Sequence, residues 1–161
     1  MKIIVKRDKS NENSRYIVFS DTGEELYKII GKHAHSSHRV YIMRKEECVA
    51  KIRDAQLPRL KACYVSGENC AFHLAIATPK DKMSVTYHGA PLHIRGDVLN
   101  KSYDILDIDN TVVSCVCRRF STSHDALEIN ISDNKYEIHS IATAVCLDSL
   151  CTTDALVLQA T

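Results

Sequence analysis

Apolar and polar residues change over in short runs along most of this chain, with turn-forming residues between the runs. The strand-like segments are 3–5, 15–19, 24–30, 38–44, 48–53, 60–65, 70–76, 83–88, 91–96, 102–108, 111–120 and 126–132. Period-two alternation, the mark of a half-buried strand, is clearest where Leu127, Ile129 and Ile131 oppose Glu128 and Asn130. In the same way Cys48, Ala50 and Ile52 oppose Val49, Lys51 and Arg53. "SDTG" (20–23), Lys45–Glu47 and Asp109-Asn110 read as tight turns between neighbouring strands. About twelve strands with one apolar and one wet face predict an antiparallel sandwich or closed barrel.

Residues 136–151, "YEIHSIATAVCLDSLC", break that pattern. Between Glu137 and Asp148 no residue carries a formal charge. Ala142, Ala144, Leu147 and Leu150 favour helix, and Asn134 with Glu137 three residues later has capping-box spacing. At 100° per residue the apolar side chains encircle the axis, leaving His139 and Thr143 as a narrow polar stripe. A helix that is apolar all round is buried. Ten residues rise only about 15 Å, half of a bilayer's hydrocarbon core, so the expected place is the inside of a closed sheet. The sequence thus predicts a mainly β chain with a central helix at about 134–150, and a tail (151–161) packed on the barrel end.

Four stretches carry a family resemblance: "YIVFSDTGEELYKIIGK" (16–32), "RVYIMRKEECVAKI" (39–52), "LHIRGDVLNKSYDILDIDNTVVSCVCRRF" (92–120) and "EINISDNKYEIHSIATAVCLDS" (128–149). Together they resemble the tubby C-terminal-like superfamily, and within it the LURP-one-related group with its small bacterial relatives. The resemblance implies a twelve-stranded barrel wrapped around a central hydrophobic helix. It also implies a binding or scaffold role, since relatives include phosphoinositide binders and phospholipid scramblases. The Pro-rich and membrane-inserting extensions typical of scramblases have no counterpart in this sequence.

Composition narrows the function further. At 161 residues the chain fits one domain over 1–161, able to bury roughly 70% of its unfolded surface. Lys plus Arg number 21 against 20 Asp plus Glu. So near a balance gives no overall field to recruit nucleic acid or an acidic membrane, and any such binding needs a local patch. The N-terminus has only Ile3–Val5 as an apolar run, too short for a signal peptide, and no run is long enough to span a bilayer. The expected location is the cytosol, with peripheral membrane association as the alternative. Seven cysteines without a CxxC fit reduced core residues; Cys115 and Cys117 are expected to face inward with Val113.

Catalytic motifs are missing from the sequence: there is no G-x-S-x-G, Walker-type loop or H-E-x-x-H. The expectation is a non-enzymatic module without a cofactor. His33, His35 and His38 in "HAHSSH" are the metal candidates, but no carboxylate or Cys flanks them at ligand spacing, so a polar loop is the expected reading. Arg44, Lys45, Lys51 and Arg53 on the 39–53 hairpin are the phosphate or headgroup candidates, since cations on adjacent strands can hold phosphate by charge-assisted bonds. The expected partner is an unidentified protein or an anionic lipid headgroup.

Overall fold

A computed structural model describes residues 1–10, 14–34, 37–57, 60–77, 84–120 and 125–159; side chains are described for these except 14, 32–34, 37–38, 56–57, 120, 125 and 150–159. The strands are β1 (Lys2–Arg7), β2 (Ser14–Ser20), β3 (Glu25–Ala34), β4 (Ser37–Arg44), β5 (Glu47–Leu57) and β6 (Leu60–Gly67). They continue as β7 (Cys70–Ala77), β8 (Ser84–His88), β9 (Leu92–Asp97), β10 (Ser102–Asp107), β11 (Val112–Phe120) and β12 (Asp125–Ile131). A short 3-10 turn, Asn134–Tyr136, leads into the helix α1, Glu137–Gln159.

All strands join one antiparallel sheet in the order β8-β7-β6-β5-β4-β3-β2-β1-β12-β11-β10-β9. Two meanders therefore meet where β1 pairs with β12, Ile3 opposite Ile129. The ladder stops at β8 and β9, which face each other across a seam, giving a nearly closed twelve-stranded barrel. The tight turns fall where the sequence placed them, with Lys45 (φ 55°) between β4 and β5 and Asn110 (φ 62°) between β10 and β11 both in the left-handed region that hairpin loops use.

Eight-stranded barrels are filled by their own side chains, and sixteen leave a channel. Twelve strands leave room for one helix about 10 Å across, and α1 occupies it. Residues 141–148 are buried without interruption, and Ile141, Ala142 and Ala144 have no solvent exposure. They pack against Ile3, Val18, Ile29, Ile42, Leu74, Ile105 and Ile129 from the wall in a single apolar core.

Polar contacts at three levels fix the helix inside. Tyr27 Oη donates to Glu137 Oε1 at 2.9 Å at its start. Midway, Thr143 bonds the hydroxyl of Tyr87, and Ser140 donates to Ser114 Oγ at 3.0 Å. At Asp148, Arg7 donates at 2.9 Å, Tyr16 at 2.7 Å, and Lys101 Nζ lies 2.6 Å away. Burial drives the Asp148 carboxyl upward, but the Lys101 and Tyr16 bonds and the Arg7 charge outweigh it and hold it below its ordinary value.

Three sequence expectations are corrected here. The turn into the helix is capped by Asp133, which accepts from Lys135 N at 3.0 Å, not by Asn134. The helix runs on through Gln159 instead of ending near 150 with a separate tail. Cys115 and Cys117 do not face inward with Val113: both are partly exposed while Val116 is buried. The cause is a bulge where Leu106 pairs with Val112 and Ile105 with Ser114. An extra residue on one strand reverses the facing of all that follow.

Candidate functional site

On the 39–53 hairpin the outward residues of β4 and β5 are Arg39, Tyr41, Lys51 and Arg53. The register sets Arg39 opposite Arg53 and Tyr41 opposite Lys51. β6 adds Tyr64 beside Arg53 and Ser66 beside Lys51. Since side chains on one face of paired strands stand about 5 Å apart, these six form a compact two-row grid. They line a hollow of about 330 Å³ on the outer wall, floored by Ile52.

Charge in this hollow is one-sided. Arg53 lies over the Tyr64 ring, 5.6 Å from its centre, a cation–π contact that holds the guanidinium in place without neutralising it. Among the described residues no carboxylate pairs with Arg39, Lys51 or Arg53. Several other surface cations are matched, as Lys2 is by Glu128 at 3.1 Å and Arg95 by Asp104 at 3.2 Å. A second hollow of about 420 Å³, beside Cys115 and Ser132, has Lys2 and the Met1 ammonium as its cations; Lys2 is paired with Glu128, and the ammonium donates to the Ile131 carbonyl at 2.6 Å.

The four hairpin cations named from the sequence thus fall into two places. Lys51 and Arg53 stand together in the hollow. Arg44 sits at the barrel end, donating to Tyr27 Oη at 2.7 Å and covering its ring at 5.2 Å. Its guanidinium is held up mainly by that bond to Tyr27, while burial pushes the Tyr27 phenol up in turn. Arg44 therefore belongs to the contact that anchors the helix start. Lys45 is exposed in the turn between β4 and β5. Sequence reasoning missed Arg39, Tyr41, Tyr64 and Ser66. Alternation in "HRVYIMR" (38–44) and "LKACYVS" (60–66) sets Arg39 with Tyr41 and Tyr64 with Ser66, but only the register across three strands brings them together.

His33 and His38 lie opposite each other in the β3–β4 pairing; their side chains, and all of His35, lie outside the described residues. No group of three or more His, Cys, Asp or Glu suited to a metal ion occurs among the described residues. No helix among the described residues is long and apolar enough to cross a membrane.

Comparison with known proteins follows this geometry. The crystal structure of an Arabidopsis thaliana protein superposes with a TM-score of 0.60 over 92% of this chain and 90% of that one, at 12% identity. At that identity the likeness is one of fold. No curated protein matches the sequence. The family model described as LURP-one-related matches residues 1–148, from β1 to the Asp148 that locks the helix to the wall, and the chain belongs to the LURP-one-related family.

Proposed function

We propose that the chain acts as one domain over 1–161, a non-enzymatic binding or scaffold module that takes a phosphate-bearing anion in the hollow of Arg39, Lys51 and Arg53. The observation that carries this reading is three cations around one hollow without a carboxylate partner among the described residues. Such a set offers charge-assisted hydrogen bonds at the geometry phosphate accepts, with Arg giving two parallel donors. Ser66 and the two tyrosine hydroxyls can supply neutral donors at the rim.

Titration of the ¹⁵N-labelled protein with inorganic pyrophosphate tests it. Shifts are expected in the amides of 39–41, 51–53 and 64–66, and Lys51→Glu with Arg53→Glu should weaken binding at least about tenfold. Shifts confined elsewhere, or binding indifferent to the double variant, would overturn the reading.

A second reading is peripheral attachment to an anionic lipid headgroup. It is favoured by the position of the hollow on the outer wall, with Tyr41 and Tyr64 beside its cations, since tyrosine suits a boundary that is apolar on one side and wet on the other. It fits a place for the chain among small bacterial members of the tubby C-terminal-like superfamily, resident in the cytosol. Sedimentation with phosphatidylserine vesicles should then fall as salt rises, and vesicles that never pull the protein down would remove this alternative.

A further inference from the structure

The hollow is one end of a longer feature. Arg53 pairs in register with Tyr64, Tyr64 with His73, and His73 with His88. With Arg39 opposite Arg53, five outward residues form one row across β4, β5, β6, β7 and β8. At about 4.8 Å per strand the row is about 19 Å long. It ends at the seam, where β8 has no partner strand.

Four of the five touch in succession, through a cation–π contact, a tilted ring pair and a stacked ring pair. The Arg53 guanidinium lies 5.6 Å from the Tyr64 ring centre, Tyr64 and His73 are 5.4 Å apart at 34°, and His73 and His88 are 4.7 Å apart at 15°. Rings set against one another along the row leave mainly their edges to an approaching ligand. Those edges carry guanidinium N–H, phenol O–H and imidazole N–H groups, which are donors. A row with its faces consumed cannot stack successive nucleobases, which is how aromatic platforms grip single strands. It can, however, give hydrogen bonds to a line of anionic oxygens.

Resting on the anion reading of the hollow, we propose that the ligand is an extended polyanion of the polyphosphate type. It lies along Arg39, Arg53, Tyr64, His73 and His88 and is bound with uptake of a proton by the His73–His88 pair. Imidazole is the side chain whose charge changes near neutral pH, and a phosphate oxygen beside it favours the charged form. The proton comes from solvent. Two imidazolium rings stacked this closely repel, so one proton is the expected uptake on binding. The register neighbours are Tyr64 and, beyond it, Arg53. Ala62 and Ser66 on β6, Ala71 and Ala75 on β7 and Thr86 on β8 flank the pair. Across the seam β9 exposes His93, Arg95 and Asp97; Arg95 is bonded to Asp104 at 3.2 Å, and Asp97 accepts from Asn100 Nδ2 at 2.6 Å.

Long-chain inorganic polyphosphate is the probe, because its internal phosphates keep their charge between pH 6 and 8; pyrophosphate, which reaches only the hollow, is the control. Polyphosphate should bind about tenfold tighter at pH 6 than at pH 8, the worth of one charge-assisted contact. His73→Gln with His88→Gln should cut that ratio to about twofold or less while leaving pyrophosphate binding as it was. Calorimetry in two buffers of different ionisation enthalpy should show the proton uptake, and its loss in the double variant. Unchanged pH dependence in the double variant overturns the inference, and so does tighter binding of single-stranded oligonucleotides than of polyphosphate. In either case pyrophosphate binding sensitive to Lys51→Glu and Arg53→Glu would leave the reading of the hollow standing. Loss of that sensitivity would fell the reading of the hollow instead.

Discussion

Cys48, exposed on β5, differs in reactivity from every other described thiol because reactivity follows access and thiolate content together. Cys63, Cys70 and Cys146 are buried between the wall and α1. The Cys63 thiol is raised chiefly by its bond with Cys146 and then by burial, and burial pushes Cys70 up to about 11. Cys115 and Cys117 lie between these extremes, partly exposed on the outer side of β11. Burial, followed by the hydrogen bond and charge of Asp104, pushes Cys115 up to about 11. Alkylation of the native protein at pH 8 should therefore modify Cys48 first. Cys115 and Cys117 should follow as the pH is raised toward 10, and the core thiols only on unfolding. Peptide mass spectrometry would read this order, and Cys63 labelled as fast as Cys48 would refute it. The sequence hides the reason Cys115 faces out. "TVVSCVC" alternates as though Val113, Cys115 and Cys117 shared a face, and the bulge at Val112 that breaks the alternation depends on β10, a strand apart.

The central helix was the element most legible in the sequence, because its place follows from what it lacks. Eight consecutive buried positions, 141–148, leave no side on which a charge could reach water, so the uncharged run from 138 to 147 is a requirement of the barrel. Even the polar stripe has its match in the wall: Thr143 meets Tyr87, and His139 stacks on Phe72 at 5.5 Å. All twelve strands were likewise readable from alternation and turns. What pattern could not supply was register, and the candidate site is made of register. Lys51 and Arg53 were legible as two outward cations on one strand, whereas Arg39, Tyr64, His73 and His88 join them only through pairing across four neighbouring strands. Two substitutions test the helix. Leu147, 2% exposed, cut to Ala should cost about 2–5 kcal/mol through lost transfer energy and the cavity left. A fall in the urea midpoint at unchanged slope would show it. Ala142→Lys should prevent folding altogether, since its ammonium would have no partner in the barrel centre. A soluble, cooperatively melting Ala142→Lys protein would mean that the helix can leave the barrel.

For the molecule as a whole, the helix adds a second tie between the two meanders beside the β1–β12 ladder, and two of its titratable side chains, Asp148 and His139, make that tie sensitive to acid. Asp148 gathers Arg7 from β1, Tyr16 from β2 and Lys101 from the turn before β10, so one carboxylate bridges segments on both sides of the β1–β12 junction. His139 sits toward the other end of the helix, where burial holds its imidazole below the ordinary value against the contrary pull of the Lys135 carbonyl. Both shifts work in the same direction. Below about pH 6.5 the unfolded chain protonates His139 while the folded chain resists, so stability falls with pH from there downward. Below about pH 4 the unfolded chain protonates Asp148 while the folded carboxylate stays charged, and stability falls a second time. Asp97, Asp133 and Glu128 are also held low, but they are solvated and contribute little to that second fall. The urea midpoint should accordingly be level near pH 7, decline gently toward pH 5 and drop steeply below pH 4. His139→Phe, which keeps the stack on Phe72, should remove the gentle decline alone. Asp148→Asn should flatten the steep drop, at a cost near pH 7 of about 3 kcal/mol. That is the low end for breaking a buried pair, because the Arg7 side chain is 38% exposed. An Asp148→Asn protein with wild-type stability at pH 7 would show that the β1–β12 ladder and the apolar core hold the meanders together without it. The predicted cost would instead make this carboxylate the lock between helix and wall.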